Sequence, residues 1–144
     1  MKKLAVLLTL LLSSLFSFSQ LSNKHWLPPL HARAGAVVNE HYIYLSTPFI
    51  DSFEVNVTTG DGTPISGSPF TISLTNPVRV FIGNNQPSSM FVGINNINTI
   101  ESDKGLILTG SKDFYVSLRV RSANHAETLV SKGRTGKGTQ FRLG

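Results

Sequence analysis

From Phe114 to Arg121 the chain alternates strictly, with Phe114, Val116, Leu118 and Val120 at one parity and Tyr115, Ser117, Arg119 and Arg121 at the other. Side chains of an extended strand point to opposite faces in turn, so this run predicts a half-buried strand. Val116, Leu118 and Val120 are expected inside and Arg119 and Arg121 in water, because a one-residue slip would bury two guanidinium groups. Phe53, Val55 and Val57 alternate with Glu54, Asn56 and Thr58 in the same way and stop at the turn Gly60-Asp61-Gly62. Val78, Val80 and Ile82 follow Asn76-Pro77. Shorter strands are expected at Tyr42–Ser46, Thr71–Leu74, Met90–Val92, Gly105–Thr109 and Thr128–Ser131. Turn-rich stretches at Thr63–Pro69, Gly83–Ser89 and Asn95–Asn98 separate them. The pattern predicts an all-β domain, an antiparallel β-sandwich of seven to eight short strands.

The N-terminus has a different character. Met1-Lys2-Lys3 precedes an apolar run from Leu4 to Leu12, and small residues Ser17 and Ser19 lie just ahead of Gln20. A positive start, a short apolar core and small residues before the cut make residues 1–19 a signal peptide for export through the Sec pathway, cleaved between Ser19 and Gln20. The apolar run is too short to span a bilayer, and no other is long enough. Residues 20–144 then form one domain. The chain has no cysteine, so an exported domain of this kind depends on packing alone. The ending Gln140-Phe141-Arg142-Leu143-Gly144 reads as the opening of another strand, and the domain is expected to be truncated there.

Charge is uneven. From Lys112 onward seven basic residues face only Asp113 and Glu127, within a chain of net charge +5. Arg119 and Arg121 on the strand, with Lys132, Arg134 and Lys137 in a glycine-rich loop, form a candidate basic surface. If Thr128–Ser131 pairs back on Phe114–Arg121, that loop extends the basic face. It would attract anionic glycans or other surface polymers without specific nucleic-acid recognition; the competing account is that the charges keep an exported sheet from stacking edge to edge.

Catalytic signatures are missing. Lys132–Thr139 resembles a phosphate loop only superficially, since Ser131 stands where the first glycine belongs and Gly138 where the hydroxyl belongs. His25, His31, His41 and His125 lack metal-site spacing and read as surface or half-buried side chains. Glu101 and Asp103, beside Lys104, read as a solvated loop, and Asp61 as a turn residue. No Gly-x-Ser-x-Gly or Ser-x-x-Lys occurs. Trp26-Leu27-Pro28-Pro29-Leu30 reads as a lead-in capping the domain with Trp26. The expectation is a non-enzyme with no cofactor and no metal.

Lys104-Gly105-Leu106-Ile107-Leu108-Thr109, then Phe114 to Arg121, Ala126 to Gly133 and Gly138-Thr139-Gln140-Phe141 occur in that order. Together with Trp26-Leu27-Pro28-Pro29 and Tyr42–Pro48, this resembles the N-terminal, IgGFc-binding-like β domain of large secreted surface proteins of gliding Bacteroidota. The resemblance implies a non-enzymatic adhesion or interaction module, secreted or on the cell surface, at the start of a larger type IX secretion substrate. Such proteins carry further domains and a C-terminal sorting domain, which the truncation expected at Gly144 would leave out of this sequence. The alternatives are a carbohydrate-binding accessory domain, using outward Tyr42, Tyr44 and Tyr115, or the N-terminal fragment of a secreted enzyme.

Overall fold

The computed structural model describes residues 20–32, 37–123 and 125–136. The signal segment 1–19, the cut at Ser19, Lys137 and the Phe141 strand lie outside the described residues. Seven strands follow in chain order: β1 (Ser22–Leu27), β2 (Val38–Ser46), β3 (Phe53–Thr59), β4 (Phe70–Ile72), β5 (Val78–Asn84), β6 (Leu106–Ser122) and β7 (Ala126–Val130). All named pairings are antiparallel. They make one seven-stranded sheet, nearly closed into a barrel.

One strand organises the rest. The expected strands Gly105–Thr109 and Phe114–Arg121 are a single 17-residue strand, β6. Its first part pairs with β1 and β3, and its second with β2 and β7. A strand has only two edges, so β1 lies opposite β3 and β7 opposite β2. The end of β7 meets the start of β1, where the Ser131 hydroxyl lies 3.0 Å from His25 Nδ1. Hence β7 and β1 follow one another along one edge of β6, and β2 and β3 along the other.

The sheet bends where the two sets of pairings change over. Gly110 pairs with Val55 and Tyr115 with Ser46, leaving Ser111 to Phe114 between these registers. A side chain at Gly110 would press on the Phe114 and Phe53 rings at 3.1 Å. At the same corner Thr47 Oγ1 donates to the Asp113 carbonyl at 2.9 Å. Bending brings the inner faces of both halves into one core. Ile43, Leu45, Val116 and Leu118 from one half join Val55, Val57, Ile72 and Leu108 from the other, and none is more than 1% exposed.

Three details differ from the sequence expectations. Val120 is half-buried rather than buried, because its neighbour β7 is exposed along its whole length. Met90–Val92 forms no strand; Met90 and Phe91 are core residues held by a single parallel bridge to Leu30, with bonds of 2.8 Å each way. Finally, β1 is a strand where only a lead-in was expected, and Trp26 lies half-buried within it.

Two of the histidines are also corrected: His25 and His41 are fully buried. His41 Nδ1 lies 3.1 Å from the Asn39 carbonyl, which can only accept, so Nδ1 carries the proton. Nε2 then accepts from the Ser88 hydroxyl at 2.8 Å. That oxygen in turn accepts from the amides of Met90 and Phe91, at 3.2 and 3.1 Å. Gly83 makes room for the ring, since a Cβ there would sit 2.9 Å from Nε2. Ser88→Ala would leave one ring nitrogen and two amides short of a partner. It should cost about 1–3 kcal/mol, read as a lower urea midpoint at unchanged slope.

Candidate binding surfaces

The outer face of β5, β2 and β6 gathers arginines and rings. In register, Tyr42 stands between Phe81 and Arg119, and Tyr44 between Arg79 and Ser117. Alternation along Val78-Arg79-Val80-Phe81 turns Arg79 and Phe81 outward, just as it does Arg119 and Arg121 on β6. The Arg79 guanidinium lies 4.8 Å from the Tyr42 ring centre, and the Tyr42 and Phe81 rings are 5.4 Å apart. Phe81 is 55% exposed and Tyr44 37%.

Glu40 is the acid of this group, 3.6 Å from Arg121. The Tyr42 hydroxyl is held above its ordinary value by burial first and by its hydrogen bond to Glu40 second, against the pull of Arg79 and Arg121. Its one O–H donor is engaged by Glu40. Three guanidinium groups against one carboxylate leave a net local charge of +2. Such forks suit carboxylate or sulfate oxygens, and exposed rings suit the flat faces of sugars.

Of the described basic residues expected together, the structure joins Arg119 and Arg121 and sets Lys132 and Arg134 apart from them. The hairpin expected between Thr128–Ser131 and β6 is present, with Arg119 opposite Thr128 and Ser117 opposite Val130. Lys132 and Arg134 lie beyond that end of β7, on the order of 14–20 Å along the strand from Arg119 and Arg121. The segment does not extend the basic face. It forms a short 3-10 turn, Gly133–Gly136, docked on β1. Gly133 has a left-handed φ of 54°, and a Cβ on it would lie 2.4 Å from that of Ser22. The Arg134 amide donates to Ser22 Oγ at 3.3 Å. Tyr42, Tyr44 and Tyr115 all share the outward parity. Arg79 and Phe81 are additions that the sequence reading lacked, although their alternating strand was legible.

His25 anchors the docked turn. Its Nε2 faces two carbonyls, Phe114 at 2.8 Å and Ser22 at 3.0 Å, so this nitrogen bears the proton. Nδ1 accepts from Ser131, whose oxygen accepts the Gly133 amide at 3.3 Å. Burial lowers the pKa of both His25 and His41 from the ordinary 6.5, against the opposing effect of their backbone hydrogen bonds. The remaining histidines, His31 and His125, are exposed.

A second surface feature is a cleft of about 480 Å³ between the two halves of the bent sheet. Leu118 and Leu129 line it from one half, Trp26 and Leu30 from the other, with Met90 and Lys132 completing it. Among the described residues no group of three His, Cys, Asp or Glu side chains is placed to hold a metal, and no helix is long and apolar enough to cross a membrane. Comparison with known proteins finds no matching family model, no matching curated protein and no matching solved structure.

Proposed function

We propose that this chain is an exported, non-enzymatic adhesion module, the N-terminal part of a larger secreted or cell-surface protein, that holds anionic polysaccharide on the outer face of β5, β2 and β6. In this reading the bent sheet is a sandwich whose layers share β6, and one outer layer is the binding platform. The observation that carries it is the register of Arg79, Tyr42, Phe81, Tyr44, Arg119 and Arg121 on one exposed face. Guanidinium groups take the acidic substituents and the rings take the sugar faces, a combination that a merely solvated charge surface does not require. Lys132, Arg134 and Lys137 then contribute long-range attraction rather than contact.

Retention on an alginate matrix at low and physiological salt tests this. Exchanging Arg79, Arg119 and Arg121 together for alanine should weaken retention on the order of 10–100-fold, the summed effect of three exposed charge contacts. The triple alanine of Lys132, Arg134 and Lys137 should change it less than about threefold at physiological salt, where charges beyond a Debye length of ~8 Å are screened. Equal losses in the two triples, or retention unchanged by the first, would refute the platform.

A further inference from the structure

Strand β7 is exposed at every residue, and among the described residues it pairs only with β6. Its other edge therefore presents unpaired N–H and C=O groups, a template for one more strand. Natural edge strands are usually blunted by charge, proline or a covering loop. Here the only charge on Ala126–Val130 is Glu127, and Leu129 and Val130 are 45% and 48% exposed.

The apolar cleft lies beside this strand, since Leu129 and Val130 both line it. It exists because β7 and β1 follow one another on a single edge of β6. Past β7 no further strand among the described residues covers the gap up to Trp26 and Leu30. Its volume falls within the ~300–1,000 Å³ of ligand-binding clefts. Apart from backbone and the Trp26 indole, its polar lining is Ser131 and Lys132. Lys132 and the nearby Arg134 are exposed and form no ion pair among the described residues. The His25–Ser131–Gly133 bonds fix the turn that carries them.

We infer that this cleft and the free edge of β7 form a peptide-binding site, which takes an extended segment as an added strand. Its inward apolar side chains cover Leu118 and Leu129, and an acidic side chain meets Lys132 and Arg134. Backbone bonds to β7 supply affinity, and the cleft with its cationic end supplies selection. The site is on a different face from the polysaccharide platform and stands or falls independently of it.

The chain has a single tryptophan, and it lines the cleft, so its fluorescence reports occupancy. The protein, purified from its host, is titrated with three end-blocked octapeptides. The first alternates valine and threonine and carries one terminal aspartate. The second has lysine in place of the aspartate, and the third has prolines at two threonine positions, which removes backbone donors. The first should saturate with a blue-shifted emission and new hydrogen-exchange protection at residues 126–130. The second should bind at least tenfold more weakly and the third not at all. Leu129→Glu should abolish binding while leaving the melting temperature within a few degrees, because Leu129 is already half exposed.

Failure of the first peptide to bind up to millimolar concentration would overturn the inference. So would equal binding of the proline peptide, which would mean apolar partition without strand addition. Protection of the free-edge amides of Ala126, Thr128 and Val130, which do not face β6, in the peptide-free protein would also overturn it. If that protection is lost on dilution, the occupant is a second copy; if it is lost on deleting residues 137–144, the occupant is the chain's own end.

Discussion

Leu118→Ala should lower the unfolding free energy by about 2–5 kcal/mol, and Arg119→Ala by less than about 1. The two residues are neighbours on β6 and differ only in parity. Leu118 has no exposed surface and stands between Ile43 and Leu129 in the sheet. Its truncation removes buried methyl groups and leaves a void in the wall of the cleft. Water can enter that void from the cleft, which places the cost in the lower half of the range. Arg119 projects from the opposite face, opposite Tyr42 in register, and is exposed, so its removal buries nothing new and empties no core space. Paired urea melts decide the matter. Equal losses would contradict the register that turns every outward residue of β6 toward solvent.

Acidification should destabilise the fold well before the carboxylates titrate. His25 and His41 have folded-state pKa values lowered by burial from 6.5. Below 6.5 the unfolded chain binds protons at both sites while the folded one does not. Stability is therefore complete above this value and is lost as pH falls from 6.5 towards the lowered values. At its steepest the loss approaches about 1.4 kcal/mol per pH unit for each histidine. Protonation cannot be absorbed in place. A charged His41 would turn a second N–H towards Ser88, whose oxygen already accepts two amides. A charged His25 would no longer accept the Ser131 hydroxyl at Nδ1, leaving that O–H to find another acceptor in the buried site. Gln at either position should remove about half of the slope between pH 6.5 and 4.5, and Gln at both should flatten it. A slope that persists in the double variant would assign the acid sensitivity elsewhere.

How far these features could be read beforehand follows from which interactions create them. Alternation alone placed Val116 and Leu118 inside and Arg119 and Arg121 outside, because a strand's parity is a local property. The same signal located β3 and β5. It missed β1, whose buried residues include Ser22 and His25; His25 is satisfied by Ser131 and Phe114 and the Ser22 hydroxyl accepts from Arg134, all far along the chain, so the strand has no hydropathy pattern. A register shift between Ser22 and Lys24 breaks its period further. Gly110-Ser111-Lys112-Asp113 has the composition of a turn, yet β6 runs through it because β1, β3, β2 and β7 hold its two ends. Met90 and Phe91 carry the apolar content of a strand without its ladder. The candidate surface was half legible for a related reason. Outward Arg79 and Phe81 follow from alternation, but their alignment with Tyr42 and Arg119 depends on which strands pair. The separation of Lys132 and Arg134 from that face likewise depends on the return of the chain to Ser22.

The measurement closest to the central claim is a titration of the labelled protein with short oligouronates at physiological salt, following the backbone amide, arginine Nε–H and tyrosine ring signals by NMR. The platform account predicts progressive shifts for Arg79, Arg119, Arg121, Tyr42 and Tyr44, with Lys132 and Arg134 little changed. Shifts confined to Lys132 and Arg134, or no shift at any arginine at millimolar ligand, would contradict it.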